Sequence, residues 1–226
     1  MPPDETIRCL DEMISSRSIL AHPFYVAWQR GELTREQLGI YASFYYPHVA
    51  AFPGYLARAR NGATNPFVRA ELEANLADEL ANPAPHNELW LDFAEEFGAD
   101  REALATAPPR PAADGVVKTF NARTSGETAG AIAALYAYES QQPEVAAQKL
   151  TGLRERYGVT DAKALAYFEV HAQSDIRHSE GERQAIARCL ADGASRESVL
   201  ESASAALDAY WTLLDGICEE AEIKSC

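Results

Sequence analysis

Residues 161–180, DAKALAYFEVHAQSDIRHSE, place His171, Asp175 and His178 at positions i, i+4 and i+7. On an α-helix, at ~100° per residue, these three share one face within about 60° of arc. Two imidazoles and a carboxylate converging in this way suit an oxophilic transition metal such as iron or manganese. On so polar a helix they equally suit a solvated face, and the stretch alone leaves both readings open. The rest of the chain has to decide.

Gly and Pro are sparse within the long segments, β-branched runs are absent, and Ala, Leu, Glu and Arg recur, so the chain reads as all-α. Residues 4–18 form a first expected helix with Ile7, Leu10, Met13 and Ile14 as its apolar stripe. His22-Pro23 breaks it, and a short helix follows through Phe24, Tyr25 and Trp28 to Gly31. Thr34 and Gln37 make a capping-box pattern opening a long helix to about Arg60. Pro47 and Pro53 lie inside it and predict a bent or interrupted rod. Asn65 caps a helix over 66–81, residues 82–85 (NPAP) interrupt it, and His86 opens the next. Residues 107–111 (APPRP) are a linker-like loop, yet neither half looks self-sufficient, so 1–226 is read as a single domain. A helix over 113–123 is expected next.

From Glu127 a helix rich in Ala and Tyr should run to about Tyr157, with Pro143 inside it. Pro143 leaves the carbonyl of Glu139 without a donor, which predicts a kink centred on Glu139. Gly158 closes the segment, and Gly181 divides the helix bearing His171 from a further helical stretch to Leu190. Ser195 begins the last helix, with Leu200, Leu207, Trp211, Leu214 and Cys218 as its buried seam.

The formal net charge is −14 with the basic residues scattered, so there is no cationic footprint for nucleic acid or an anionic membrane. No window approaches the ~20 apolar residues of a membrane span, and MPPDETIRCLDE has no apolar core of a secretory signal. A cytoplasmic location is expected. Cys9, Cys189, Cys218 and Cys226 lie far apart without a CxxC pair, and are read as incidental thiols.

Helices of this length joined by short loops predict a compact bundle, in which metal ligands project inward from several helices. The candidates in chain order are Glu79, His86, Glu139, His171, Asp175 and His178. Three carboxylates and three imidazoles would hold two divalent ions with positions left for dioxygen, and the carboxylates would largely offset the charge. Singly, His86 also suits a hydrogen-bonded core histidine, and Glu79 beside Asp78 suits solvated surface. Glu139 is more telling. It sits in YAYESQQPE, between apolar turns at the expected kink, where an unpaired buried carboxylate would be costly.

HPFYVAW (22–28), LGIYASFYYPHV (38–49), DEL and PHNELW (78–90), YAYESQ (136–141) and HAQSDIRH (171–178) together resemble a known family over nearly the whole chain. It is that of the haem-oxygenase-like dimetal oxidases, in the wider group with thiaminase-like and pyrroloquinoline-quinone-synthase-like proteins. The branch most similar holds the chlamydial proteins associating with death domains and their bacterial relatives, which make para-aminobenzoate for folate. The resemblance implies a haem-oxygenase-like helical bundle, and the family's six ligands match the six residues above without a change of type. It implies two divalent metals, iron with iron or manganese with iron, dioxygen and an external reductant as co-substrates, and a homodimer. Thiaminases of this fold use a nucleophilic cysteine, and no cysteine here falls in these motifs.

In that branch a tyrosine of the protein is cut out to supply the aromatic ring, and a lysine gives its amino nitrogen. The resemblance assigns these roles to Tyr25 and Lys149, with Tyr41 and Tyr138 as further site tyrosines. Without it, Tyr25 and Tyr41 read as core packing and Lys149 as a snorkelling surface residue. Lys149 lies ten positions after Glu139, about 80° round the helix, and the bend at Pro143 is expected to turn it toward the same cavity. As a nucleophile it needs a lowered pKa.

Two other functions are carried alongside. The same metal scaffold can act on an external fatty acid, amino acid or amine, which an apolar tunnel would favour over a tyrosine-lined cavity. A protein-interaction module needs no metal. His22 is expected to fix the turn before Tyr25, and His48 to hydrogen-bond a metal ligand.

Overall fold

The computed structural model of the chain describes residues 2–81 and 83–224, and among these there is no strand. The helices are α1 (Pro3–Ser16), α2 (Pro23–Arg30), α3 (Arg35–Gly62), α4 (Pro66–Ala81), α5 (His86–Glu96) and α6 (Arg101–Thr106). They continue with α7 (Pro111–Thr124), α8 (Thr128–Glu139), α9 (Gln142–Glu155), α10 (Ala162–Ala191) and α11 (Arg196–Glu220). None is long and apolar enough to cross a membrane.

The bundle is built round α8. Every residue from Ala129 to Glu139 is buried, as expected of a helix apolar on all sides, and α3, α7, α10 and α11 pack against it. Its last residue is Glu139. The most apolar rod of the molecule therefore delivers a carboxylate to the centre of the fold.

Local chemistry sets the ends of the elements. The capping box at α3 forms, with Thr34 Oγ1 accepting from the Gln37 amide at 3.2 Å and Gln37 Oε1 from the Thr34 amide at 2.9 Å. Asn65 Oδ1 caps α4 through the Phe67 amide at 3.0 Å, and Gly31 ends α2 at φ 69°.

Four expectations are corrected. Of the bent or interrupted rod expected for α3, the interruption does not occur: it is one helical element through Pro47 and Pro53, with Tyr41, Tyr45, Phe52 and Tyr55 among its buried residues and α4, α5 and α7 packed against it. The kink at Glu139 is instead a full break, with Ser140 and Gln141 between α8 and α9 and Pro143 seated in the first turn of α9, where its missing N–H has no helical partner to lose. Gly181 does not divide α10. It lies where α4 approaches, and a Cβ there would run into the Glu71 carboxylate. Cys9 and Cys189 carry free thiols, whereas Cys218 is disulfide-bonded, so the reading of incidental thiols fails at that position.

Candidate metal centre

Each of the six predicted ligands is carried by a helix of the bundle. Glu79 lies in the last turn of α4, His86 opens α5, Glu139 ends α8, and His171, Asp175 and His178 line one face of α10. All six are buried, none more than 6% exposed. They gather as two groups of three, Glu79–His86–His171 and Glu139–Asp175–His178, with one ligand atom from each residue within 4.8 Å of the others in its group.

In the first group His86 Nδ1 lies 2.8 Å from Glu79 Oε1, and His171 Nε2 lies 3.7 Å from the same oxygen. In the second, His178 Nδ1 stands 3.3 Å from Asp175 Oδ1 and 3.6 Å from Glu139 Oε1. The remaining ring nitrogens of His171 and His178 are tied back. His171 Nδ1 donates to the Tyr167 carbonyl at 2.7 Å, and His178 Nε2 donates to Asp78 Oδ2 at 2.9 Å. Such bonds fix which nitrogen faces the site and raise its basicity toward a metal. Asn75 Nδ2 likewise donates to both Glu139 oxygens, at 3.0 and 2.9 Å.

Protonation follows from this crowding. Burial pushes the Glu79 carboxyl up, but hydrogen bonds from His171 and His86 overcome it and hold the group at about 2. Burial pulls His178 down, yet Asp175, Glu139 and Asp78 together lift it to about 11. Burial raises Asp175 despite His171, and its Oδ2 has no hydrogen-bond partner. Six convergent buried donors, an orphaned carboxylate oxygen and imidazoles oriented from behind fit two divalent ions.

A small cavity touches these ligands, with about 10 Å³ open to a water-sized sphere. Tyr138 and Tyr167 line it together with Val49, Phe52, Glu79, Glu139, His171 and Asp175. It has room for about one water-sized molecule and no acyl chain.

Of the other predicted residues, Tyr138 reaches this cavity, while Tyr25, Tyr41 and Lys149 do not line it. Those three form a second cluster: Lys149 Nζ donates to the Tyr41 hydroxyl at 2.6 Å and stands 5.2 Å from the ring centre of Tyr25. Lys149 is 2% exposed, and burial alone lowers its pKa to about 7. The Tyr25 hydroxyl lies beside those of Tyr210 and Tyr41 without a well-aligned hydrogen bond. Two tyrosines not singled out in the sequence join the clusters. The Tyr45 hydroxyl donates to that of Tyr138 at 3.0 Å and shares a short hydrogen bond with that of Tyr210.

His22 fixes the turn before Tyr25, as expected: its Nδ1 accepts from the Phe24 amide at 3.1 Å and caps α2. His48 does not have the expected bond to a ligand. Its Nδ1 meets the Tyr55 hydroxyl at 3.5 Å, its ring packs against Tyr138 and Phe120, and burial drops its pKa to about 3.

The sequence reading also missed Asp78, Asn75 and Glu182. Asp78 adjoins the candidate ligand Glu79. Glu182 follows His171 by eleven positions, about 20° away round the helix, so the stripe on α10 extends one turn beyond His178.

A helical bundle that closes round two such donor groups defines a haem-oxygenase-like redox protein. Residues 40–211 match the iron-containing redox enzyme family, and the chain belongs to it. It is 37% identical over 218 residues to the 4-aminobenzoate synthase of Chlamydia trachomatis, covering 96% of this chain and 94% of that protein. It is 38% identical over 220 residues to the 4-aminobenzoate synthase of Nitrosomonas europaea, covering 93% and 89%. Among solved structures, a TenA homologue from Pseudomonas syringae pv. tomato superposes with a TM-score of 0.82 at 18% identity, over 95% of this chain and 92% of the other.

Proposed function

We propose that the chain forms 4-aminobenzoate, the para-aminobenzoate of folate synthesis, from its own Tyr25 as ring donor and Lys149 as amino donor. The observation that carries the reading is the run of tyrosine hydroxyls from Tyr138, at the ligands, through Tyr45 and Tyr210 to Tyr25 beside Lys149. Full-length similarity to two 4-aminobenzoate synthases supports it.

The parts divide the work. Glu79, His86 and His171 would hold one ion, and Glu139, Asp175 and His178 the other. Bound there, iron with iron or manganese with iron supplies the electrons that activate dioxygen and the oxidising power to attack a phenol. The cavity beside these residues has room for about one water-sized molecule. Tyr45 and Tyr210 connect the Tyr138 hydroxyl to the Tyr25 cluster. Lys149 is held in an aromatic surround where its neutral, nucleophilic form is accessible near pH 7. Because both donors belong to the chain, the entropic cost of bringing reactants together is met by folding. Dioxygen and an external reductant are the co-substrates, the working form is a homodimer, and the compartment is the cytoplasm.

The test is turnover of iron-loaded or manganese–iron-loaded protein with dioxygen and reductant, without any aromatic precursor. Protein labelled with ring-13C tyrosine is expected to give labelled 4-aminobenzoate while the intact mass of the chain falls, and Tyr25→Phe gives none. Product from the Tyr25→Phe protein would overturn the assignment of the ring donor. Product that needs an added small molecule and leaves the chain's mass unchanged would establish an external substrate instead.

A further inference from the structure

Glu182 sits on α10 one turn beyond His178, is 3% exposed, and has no hydrogen-bond donor on either carboxylate oxygen. His171, Asp175, His178 and Glu182 all fall within about 60° of arc, so Glu182 continues the ligand stripe. Its carboxyl lies against that of Glu139 and close to Asp175. Glu139 accepts from Asn75 Nδ2 on both of its oxygens. Two carboxylates buried side by side repel strongly, and such a pair stands only where a proton or a cation lies between them.

We propose that Glu182 is a fourth carboxylate of the metal centre, ligating the ion held by Glu139, Asp175 and His178. The inference rests on the two-ion reading above and extends it to a residue outside the six. Charge supports it. Glu79, Glu139 and Asp175 leave two divalent ions with one uncompensated positive charge in a buried site, and Glu182 makes the centre neutral. Glu182 stands beside the Glu139–Asp175–His178 group rather than within it, so ligation requires rotation of its side chain. Neither of its oxygens accepts from a backbone N–H or from an amide or hydroxyl side chain.

The experiment measures metal equivalents by elemental analysis after equilibration with graded chelator, for the wild type, Glu182→Gln and Glu182→Asp. The wild type is expected to keep two equivalents. Glu182→Gln keeps the ion of Glu79, His86 and His171 and loses the other, with affinity weakened beyond the roughly 10- to 100-fold typical of a residue that only orients a ligand. Glu182→Asp recovers part of that affinity. Thermal melting of the metal-free proteins separates this from misfolding, since glutamine has the shape of glutamate and Glu182→Gln is expected to melt no lower than the wild type. Glutamine is the isostere of a protonated glutamate, so Glu182→Gln holding both ions at wild-type affinity would mean a proton lies between the carboxyls, and would overturn the proposal. A lower metal-free melting point with loss of both ions would overturn it too, by making Glu182 structural. A wild type that binds no metal would instead remove the two-ion reading itself.

Discussion

Lys149 is the residue whose environment departs furthest from its sequence context: amid alanines on α9, it is enclosed by the rings of Tyr25, Tyr41, Tyr45 and Phe168. Burial takes its pKa from the ordinary 10.5 to about 7. Its amine is therefore protonated below about pH 7 and neutral above, and 4-aminobenzoate formation is expected to rise through that pH and level off. A pH–yield profile of single-turnover reactions checks this, and a profile flat from pH 5 to 9 would contradict it. The stability sign agrees. Between about pH 7 and 10.5 the unfolded chain binds a proton at Lys149 that the folded chain does not, so this residue's contribution is full above 10.5 and diminishes as pH falls toward 7. At the ligands, Asp78→Ala frees His178 Nε2. Metal affinity is expected to fall by about 10- to 100-fold with the fold intact, read by competition with a chelator and far-UV circular dichroism. At this scale the gathering of His171, Asp175, His178 and Glu139 was legible because helical spacing on α10 and a carboxylate amid apolar turns are patterns within one segment. Glu182 obeyed the same spacing but lay beyond Gly181, read as an end.

Elements, rather than residues, bring the Tyr25 and Lys149 side chains together, since α2 carries one and α9 the other. These helices approach at Gly152, where a Cβ would stand 2.6 Å from Trp28 Nε1 and 2.9 Å from its Cδ1. A buried indole cannot swing aside, so Gly152→Ala is expected to destabilise by about 1–3 kcal/mol through overpacking. At roughly 2–4 °C per kcal/mol for a chain of this size, the melting temperature drops by about 2–12 °C. Product yield should fall with metal content unchanged, because the six candidate ligands lie on α4, α5, α8 and α10. Loss of metal in this variant would mean the two clusters are not separable. The break after Glu139 was legible from Pro143, although only as a kink: a proline in the first turn of a helix starts it cleanly, and the chain takes that option. The continuity of α3 through two prolines was not legible. Tertiary burial of its aromatic face outweighs two missing backbone bonds, and burial is a property of neighbours.

For the whole molecule, the design is one of separation and linkage. Two donor groups meet where α4, α5, α8 and α10 converge, and a lysine–tyrosine cluster lies elsewhere in the same interior. Tyr45 of α3 and Tyr210 of α11 join them. Tyr45 shares a helix face with Tyr41, a faint signal at best, whereas nothing near Tyr210 marks it, because only packing brings α11 to α3. Stability should report the centre as well. Buried carboxylates facing one another are relieved by cations, so metal loading is expected to raise the melting temperature and chelation to reverse it. The most direct measurement is the metal content, by elemental analysis, of protein purified without chelators, alongside His86→Ala and His178→Ala. Two equivalents of iron, or of iron plus manganese, are predicted for the wild type and about one for each variant. Absence of metal from the wild type, or variants that retain both equivalents, would contradict the account.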